Sequence, residues 1–251
     1  MTPAITRCEL THLARQPIDF ARAVAQHEAY ERLLASLGCT VERIPADPAH
    51  ADAVFIEDTA LIFDEVAVIT RPGAASRRGE TGPVADRLAR ERPILRLEDP
   101  ATLDGGDVVR SGKTVFVGET SRTNPAGIEA LRRALAPFGY RVTGVPVSGC
   151  LHLKSAATEA APGTVLLNPE WVDPRAFAGC STIPVDPTEP SAANLLRVGE
   201  VLVQDQAYPR TRERLRAAGQ TVATVDLSEL AKAEGAVTCC SLIVPRGSRY
   251  V

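Results

Sequence analysis

The sequence predicts an α/β fold: one domain over residues 1–251, built as a pseudo-symmetric ring of five repeated ββαβ-type units. Three observations predict it. A helix, a β-branched strand, a polar loop and a strand hairpin recur along the chain, with lead strands starting near residues 41, 94, 141, 181 and 221. That period of 40 to 53 residues marks radially repeated architectures, in which one unit cannot bury its apolar face alone. The last unit lacks a hairpin partner, and Ala4-Ile5-Thr6-Arg7, similar in character to Ile69-Thr70-Arg71 of the first unit, supplies one and closes a five-bladed ring. An ordinary open α/β sheet is the alternative, but the chain has no Gly-x-Gly-x-x-Gly turn to give it a dinucleotide role.

In the first unit Asp19 caps a helix carrying Val24, His27, Tyr30, Leu34 and Leu37 at helical spacing, and Gly38 ends it. A strand at 41–44 follows, then an acidic loop and a hairpin of 54–56 with 66–69, turning near Asp64 and Glu65. The second unit reads as a helix over 83–90, a strand at 94–97 and a hairpin of 108–109 with 115–117 across Ser111-Gly112-Lys113. Asn124-Pro125 starts the third helix, Ile128, Leu131, Leu135 and Phe138 share one face, and Gly139 stops it before a strand at 141–147. Its hairpin joins 153–158 to 165–167 across Ala161-Pro162-Gly163. The fourth unit has a short helix near 169–177, a strand at 181–185 and a hairpin of 194–198 with 201–203. The fifth has a helix at 209–217, a strand at 221–225, a helical turn at 228–233 and a last strand, Val237-Thr238-Cys239-Cys240-Ser241-Leu242-Ile243-Val244, before a polar tail from Pro245 to Val251.

With 251 residues, 45% of them hydrophobic, the chain can bury a large core. The net charge of -3 comes from 28 basic and 31 acidic residues without runs of one sign, which argues against nucleic acid or an anionic membrane as a partner. No apolar run approaches the roughly 20 residues needed to cross a bilayer. Six scattered cysteines and an opening without an apolar signal core lead to the expectation of a reduced, cytoplasmic compartment. The oligomeric state stays open, a homodimer included.

The repeat register places Glu57-Asp58, Asp104 with Asp107, His152, Asn194 and Cys239 at matching points of successive units, so that they converge on the pseudo-axis. Cys239, His152 and Asp104 supply the nucleophile, base and orienter of a thiol enzyme. Each has a plainer alternative: a small apolar cysteine of a buried strand, a satisfied core histidine, an Asp-Gly-Gly turn. Zinc is disfavoured, since adjacent cysteines do not ligate in the usual spaced pattern and no Cys-x-x-Cys occurs. Asp52, Glu57 and Asp58 bracket the apolar run Ala53-Val54-Phe55-Ile56, so a carboxylate at its buried end needs a cation. That cation is either an internal arginine or a planar ligand cation such as guanidinium, held bidentately. Arg77-Arg78 and Arg122 suit the carboxylate end of such a ligand, or are surface arginines.

Six segments in order carry a family resemblance: Val54 to Asp58, Ile69 to Arg78, Leu103 to Asp107, Ser121 to Asn124, Leu151 to Ser155 and Thr238 to Ser241. From about Leu10 to Val244 the chain resembles the dimethylarginine dimethylaminohydrolases of the guanidino-modifying superfamily, whose fold is the five-bladed α/β propeller, or pentein. The resemblance implies a small-molecule guanidine substrate, with Cys239 as nucleophile, His152 as acid and base and Asp104 as its orienter. It implies substrate contacts from Asp52, Glu57 and Asp58 to cationic groups and from Arg77 and Arg122 to a carboxylate. It further implies that Leu10 stands in a lid and that Ala233 offers a backbone carbonyl to an α-amino group. No metal or organic cofactor is implied. The rivals are a deiminase or amidinotransferase acting on another guanidine, and a non-catalytic binding protein of the same fold.

Overall fold

The computed structural model describes residues 1–245; of the expected polar tail, all but Pro245 lies outside them. The chain opens on a 3-10 helix, Pro3–Arg7, and the helix α1 (Phe20–Ser36), whose cap Asp19 accepts from the Arg22 backbone N–H as expected. After a 3-10 turn, Ile56–Thr59, come β1 (Ala60–Ile62), β2 (Ala67–Ile69), α2 (Thr81–Leu88) and β3 (Ile94–Arg96). β1 pairs with β2 antiparallel, and β2 pairs with β3 in parallel across the helix.

The same three-strand pattern returns three times. β4 (Val108–Ser111) and β5 (Thr114–Glu119) form a hairpin, and α3 (Pro125–Leu135) crosses to β6 (Arg141–Pro146). A single helical turn, α4 (Leu153–Ala156), leads into β7 (Ala157–Ala161) and β8 (Thr164–Leu167), which β9 (Ser181–Pro184) joins in parallel. The last sheet is β10 (Leu196–Val198), β11 (Val201–Asp205) and, across α5 (Pro209–Ala217), β12 (Thr221–Val225). The turn glycines Gly112 and Gly163, at φ +57 and +71, adopt the left-handed backbone that tight hairpins demand. α3 buries Ile128, Leu131 and Leu135, the face its periodicity predicted, against Val115, Val117 and Val142 of its own sheet.

Four sheets, not five, are present among the described residues. Residues 41–44 and 54–56 form no strand, and the first hairpin begins at Ala60 instead. The expected strand at 153–158 starts with the α4 turn. Pro3–Arg7 is helical, and residues 237–240 form a turn rather than a strand. The cause lies in where the turn's backbone groups find partners. The Tyr30 hydroxyl donates to the Val237 carbonyl at 2.7 Å, and the Thr238 N–H donates to Asn194 Oδ1 at 3.0 Å. The Glu57 N–H donates to the Cys239 carbonyl at 3.1 Å, and the Cys239 N–H to the Ala236 carbonyl at 3.2 Å. With those groups bonded, no ladder is needed. The N-terminal segment and this turn still share one core: Ile5 and Cys8 cluster with Tyr30, Val225, Leu230, Val237 and Cys240. Beyond α5, a last turn, α6 (Ser228–Ala231), buries Leu230 into it.

Candidate active site

Three short turns that enter successive sheets converge. Ile56–Thr59 presents Glu57 and Asp58, the turn Gly105–Asp107 follows Asp104, and α4 follows His152. The approach is so close that a Cβ on Gly105 would meet the Glu57 carbonyl oxygen at 2.0 Å, and one on Gly106 would meet His152 Nδ1 at 2.6 Å. Only glycine lets the Asp104 turn lie there.

His152 Nε2 lies 3.0 Å from Asp104 Oδ2 and 4.0 Å from Asp58 Oδ1, all three residues being buried. Asp104 is fixed by the Gly73 N–H, which donates to Oδ1 at 2.9 Å, and Asp58 by the Gly106 N–H at 2.9 Å. Asp107 braces the scaffold: it accepts from the Leu153 N–H and from the hydroxyls of Thr120 and Thr123 at 2.6 to 2.9 Å. Burial pushes its carboxyl up to about 6. Burial also opposes charge on His152, but Asp58, Asp104 and Asp107 outweigh it and raise the imidazole to about 9. In Asp58 burial is likewise overcome, by His152 and Arg77, and its carboxyl falls to about 2. Burial, with Glu57 and Asp58 adding to it, pushes the Cys239 thiol up to about 12. Near neutral pH the free protein therefore holds an imidazolium and an intact thiol.

A cavity of about 20 Å³ brings together Asp52, Asp58, Arg77, Arg122, His152, Ala233 and Cys239. Asp104 stands behind His152. Glu57 is not among its walls; both its oxygens are engaged, by Lys154 Nζ at 2.5 Å and the Thr238 hydroxyl at 2.6 Å. Arg77 is saturated too, by Asp58, Glu80 and the carbonyls of Asp52 and Phe55, which is the internal ion-pair alternative for this residue. Arg122 is freer, donating to the Thr11 hydroxyl at 3.1 Å with its other terminal nitrogen 4.0 Å from Asp104. Leu10 is half-buried in the segment above, against the cluster that holds Val237 and Cys240.

That segment is fastened by two carboxylates. Asp52 accepts from the Glu9 N–H at 3.2 Å, and Glu234 accepts from three successive N–H groups, those of Thr11, His12 and Leu13, at 2.5 to 3.0 Å. Glu234 takes the left-handed backbone at φ 59, which few residues other than glycine adopt. Sequence reasoning missed both Glu234 and Lys154, because neither shows its partner locally. A separate groove of about 920 Å³ runs between α1, α2 and residues 240–244, where the fifth unit's strands were expected; Cys240 lines it and Cys239 does not.

Asp58, Asp104 and His152 offer three ligand atoms within 4.8 Å of one another. A protonated imidazole donates rather than ligates, and Arg77 already neutralises Asp58, so the cluster is arranged as an internal ion-pair network. This has a measurable consequence. A histidine whose pKa is raised on folding stabilises the fold fully below its unfolded value, about 6.5, and the contribution is lost as pH rises through about 9. Between about pH 7 and 9.5 the unfolding free energy from urea titration is expected to fall more steeply in the protein than in His152→Asn. Equal slopes would remove the ion-pair account.

No family model matches the chain. Over 244 residues it is 42% identical to the N(G),N(G)-dimethylarginine dimethylaminohydrolase of Streptomyces coelicolor, covering 96% of this chain and 93% of that one. The dimethylarginine dimethylaminohydrolase from Pseudomonas aeruginosa, solved as a cysteine-to-serine variant complexed with citrulline, matches with a TM-score of 0.90 at 33% identity, over 95% of this chain and 94% of that one. A histidine-to-glycine variant of a dimethylarginine dimethylaminohydrolase, solved as its adduct with S-methyl-L-thiocitrulline, matches with the same TM-score, 0.90, and the same coverage. With these relatives the chain falls among the guanidino-modifying enzymes. Within that class, the chain belongs to the dimethylarginine dimethylaminohydrolase family.

Proposed function

We propose that the protein hydrolyses Nω-methylated arginines, asymmetric dimethylarginine and monomethylarginine, to citrulline and the corresponding methylamine through a thiouronium on Cys239. The observation that carries this reading is the cavity, where one half-buried thiol faces the His152–Asp104 pair and the Asp52 and Asp58 carboxylates in a chain of this family. In the free protein burial and two carboxylates hold the thiol protonated. A guanidinium cation entering the cavity offsets those carboxylates, so the substrate itself favours the thiolate.

The sulfur then attacks the guanidinium carbon and forms a C–S bond. His152, already protonated, gives its proton to the methylated nitrogen, and the C–N bond breaks as the amine leaves. Neutral His152 next takes a proton from water, whose oxygen adds to the thiouronium carbon; the C–S bond breaks as the added hydroxyl becomes the citrulline carbonyl and gives its proton to the departing sulfur, and citrulline leaves with Cys239 a thiol and His152 protonated again. Asp104 holds the imidazole in line. Asp52, Glu57 and Asp58 face the cationic groups of the substrate, Arg77 and Arg122 its carboxylate, and the Ala233 carbonyl its α-amino group, with Leu10 covering it. Glu57 lies off the cavity wall with both oxygens held, so Asp52 and Asp58, which line it, make the direct contacts to the cation, and Arg122, with fewer internal partners than Arg77, makes the contact to the carboxylate. No metal or organic cofactor takes part.

Arginine itself is expected to be turned over about 10- to 100-fold less efficiently in kcat/KM than asymmetric dimethylarginine. Room shaped for N-methyl groups leaves an N–H of arginine unpaired, at a cost of about 1 to 3 kcal/mol. Citrulline formation from the three compounds at one pH is the measurement. Arginine equal to the methylated forms would favour a deiminase, and silence on all three would defeat the reading.

The same reading treats residues 1–251 as one domain in the cytoplasm that acts on a small molecule and binds neither nucleic acid nor membrane, with the oligomeric state open and a homodimer among the states allowed. It completes a five-bladed propeller from the N-terminal and C-terminal segments. The apolar cluster that joins Ile5 and Cys8 to Val237 and Cys240 supports that closure.

A further inference from the structure

Lys154 is a half-buried cation that the proposed reaction does not use. It sits on α4, two residues after His152, and its Nζ lies 2.5 Å from Glu57 Oε1. The other Glu57 oxygen accepts from the Thr238 hydroxyl at 2.6 Å, and the Glu57 N–H donates to the Cys239 carbonyl at 3.1 Å. Asn194 closes the circuit. Its side-chain amide donates to the Lys154 carbonyl at 3.1 Å and to the Thr238 hydroxyl at 3.0 Å, while its Oδ1 accepts the Thr238 N–H at 3.0 Å. The turns that lead into three sheets therefore join in one circuit: Glu57 and Asn194 grip Thr238, the residue before the thiol, and Lys154 holds both of them.

From this circuit we infer that Lys154 is a positioning residue for Cys239, acting through Glu57: it neutralises the one carboxylate that both holds the Thr238–Cys239 turn and faces the sulfur. The inference rests on the reading of Cys239 as the nucleophile. Geometry alone requires a cation here, because a carboxylate 6% exposed with a single hydroxyl and no cation would take up a proton or push the chain away. The electrostatics agree in sign, since Glu57 opposes the Cys239 thiolate and Lys154 favours it. The groups whose charge acts on the sulfur are Glu57, Asp58 and Lys154, and the Tyr30 hydroxyl of α1 and the Cys240 thiol are coupled to it. Across the cavity lie Glu9, Asp52, Arg77, Arg122, His152 and Glu234, which the substitutions below leave in place.

The test is the rate of Cys239 alkylation by iodoacetamide in the full chain, followed by mass-spectrometric mapping of the labelled peptide. The rate tracks the thiolate fraction, and a shift of one pKa unit changes it about tenfold. At about pH 10, above the range buried glutamates reach, Lys154→Met is expected to slow labelling about tenfold. Glu57→Gln, which removes the charge but keeps the acceptor for Thr238, is expected to accelerate it by a similar factor. Lys154→Arg is expected to return the rate to that of the unaltered protein. Simple loosening of the turn would expose the sulfur and accelerate labelling in Lys154→Met and Glu57→Gln alike. Such a shared acceleration, or equal rates throughout, overturns the inference. Because labelling needs no substrate, dimethylarginine turnover measured alongside separates the two claims. Opposite shifts in an inactive protein would sink the functional reading and uphold this one, whereas equal rates in an active protein would sink this one alone.

Discussion

Cys239→Ser is expected to lower kcat on asymmetric dimethylarginine by at least ~10⁴-fold, while Cys240→Ser keeps most of the turnover. A hydroxyl is a far weaker nucleophile than a thiolate, and nothing in the cavity is placed to ionise a serine. The two neighbouring cysteines differ in where they face. Cys239 lines the small cavity with His152 and Asp58, whereas Cys240 lines the separate groove and points its Sγ at the Ala236 carbonyl at 3.6 Å. Burial together with the charge of its neighbour also drives the Cys240 thiol well up, so it offers no readier thiolate. Trapping with a haloacetamidine and mapping the adduct decides the matter. Label on Cys240 alone overturns the assignment.

His152→Ala is expected to cost about 10²- to 10⁴-fold in kcat, with Asp104→Asn costing less. In the proposed mechanism the imidazole moves two protons, one to the leaving amine and one from the attacking water. Asp104 acts on it from behind, at 3.0 Å, so its loss weakens the charge and alignment of His152 without removing the proton carrier. The two steps separate in the variant. A good leaving group can depart unassisted, so a covalent adduct that forms and persists, seen by mass spectrometry of the intact protein, is the expected signature. Near-normal turnover of His152→Ala at neutral pH would end the mechanism proposed above.

The four sheets were legible because their signals are local. A turn glycine between two β-branched runs, then a capped helix with one apolar stripe, reports each unit without any distant partner, and α3 with Asn124, Ile128, Leu131 and Gly139 is the clearest case. The fifth unit was misread for the opposite reason. Val237-Thr238-Cys239-Cys240 has strand-like composition, yet it folds as a turn whose polar groups are answered by Tyr30, Glu57 and Asn194, from 44 to 207 residues away; Val54-Phe55-Ile56 of the first unit, equally strand-like, runs instead into the 3-10 turn that begins at Ile56, with the Phe55 carbonyl taken by Arg77. Register still brought Glu57, Asp58, Asp104, His152 and Cys239 to one place, because the repeat fixes where each unit's inner turn falls. What it could not show was which charges already have partners. Arg77 and Glu57 look free in a string of letters; Asp58, Glu80 and Lys154 claim them only in three dimensions.

The bond from the Tyr30 hydroxyl to the Val237 carbonyl, with Ser241 Oγ 2.8 Å away on the same oxygen, has a meaning for the birth of the protein. Synthesis makes the first helix before the four sheets and the sulfur-bearing turn after them. Each of the four sheets can organise from neighbouring sequence as it emerges, but the turn must travel back to the first helix across most of the chain, the kind of distant closure that slows folding. A growing polypeptide would thus acquire its scaffold well before its chemistry. The sulfur of Cys239 would be set in place only when its turn met the first helix.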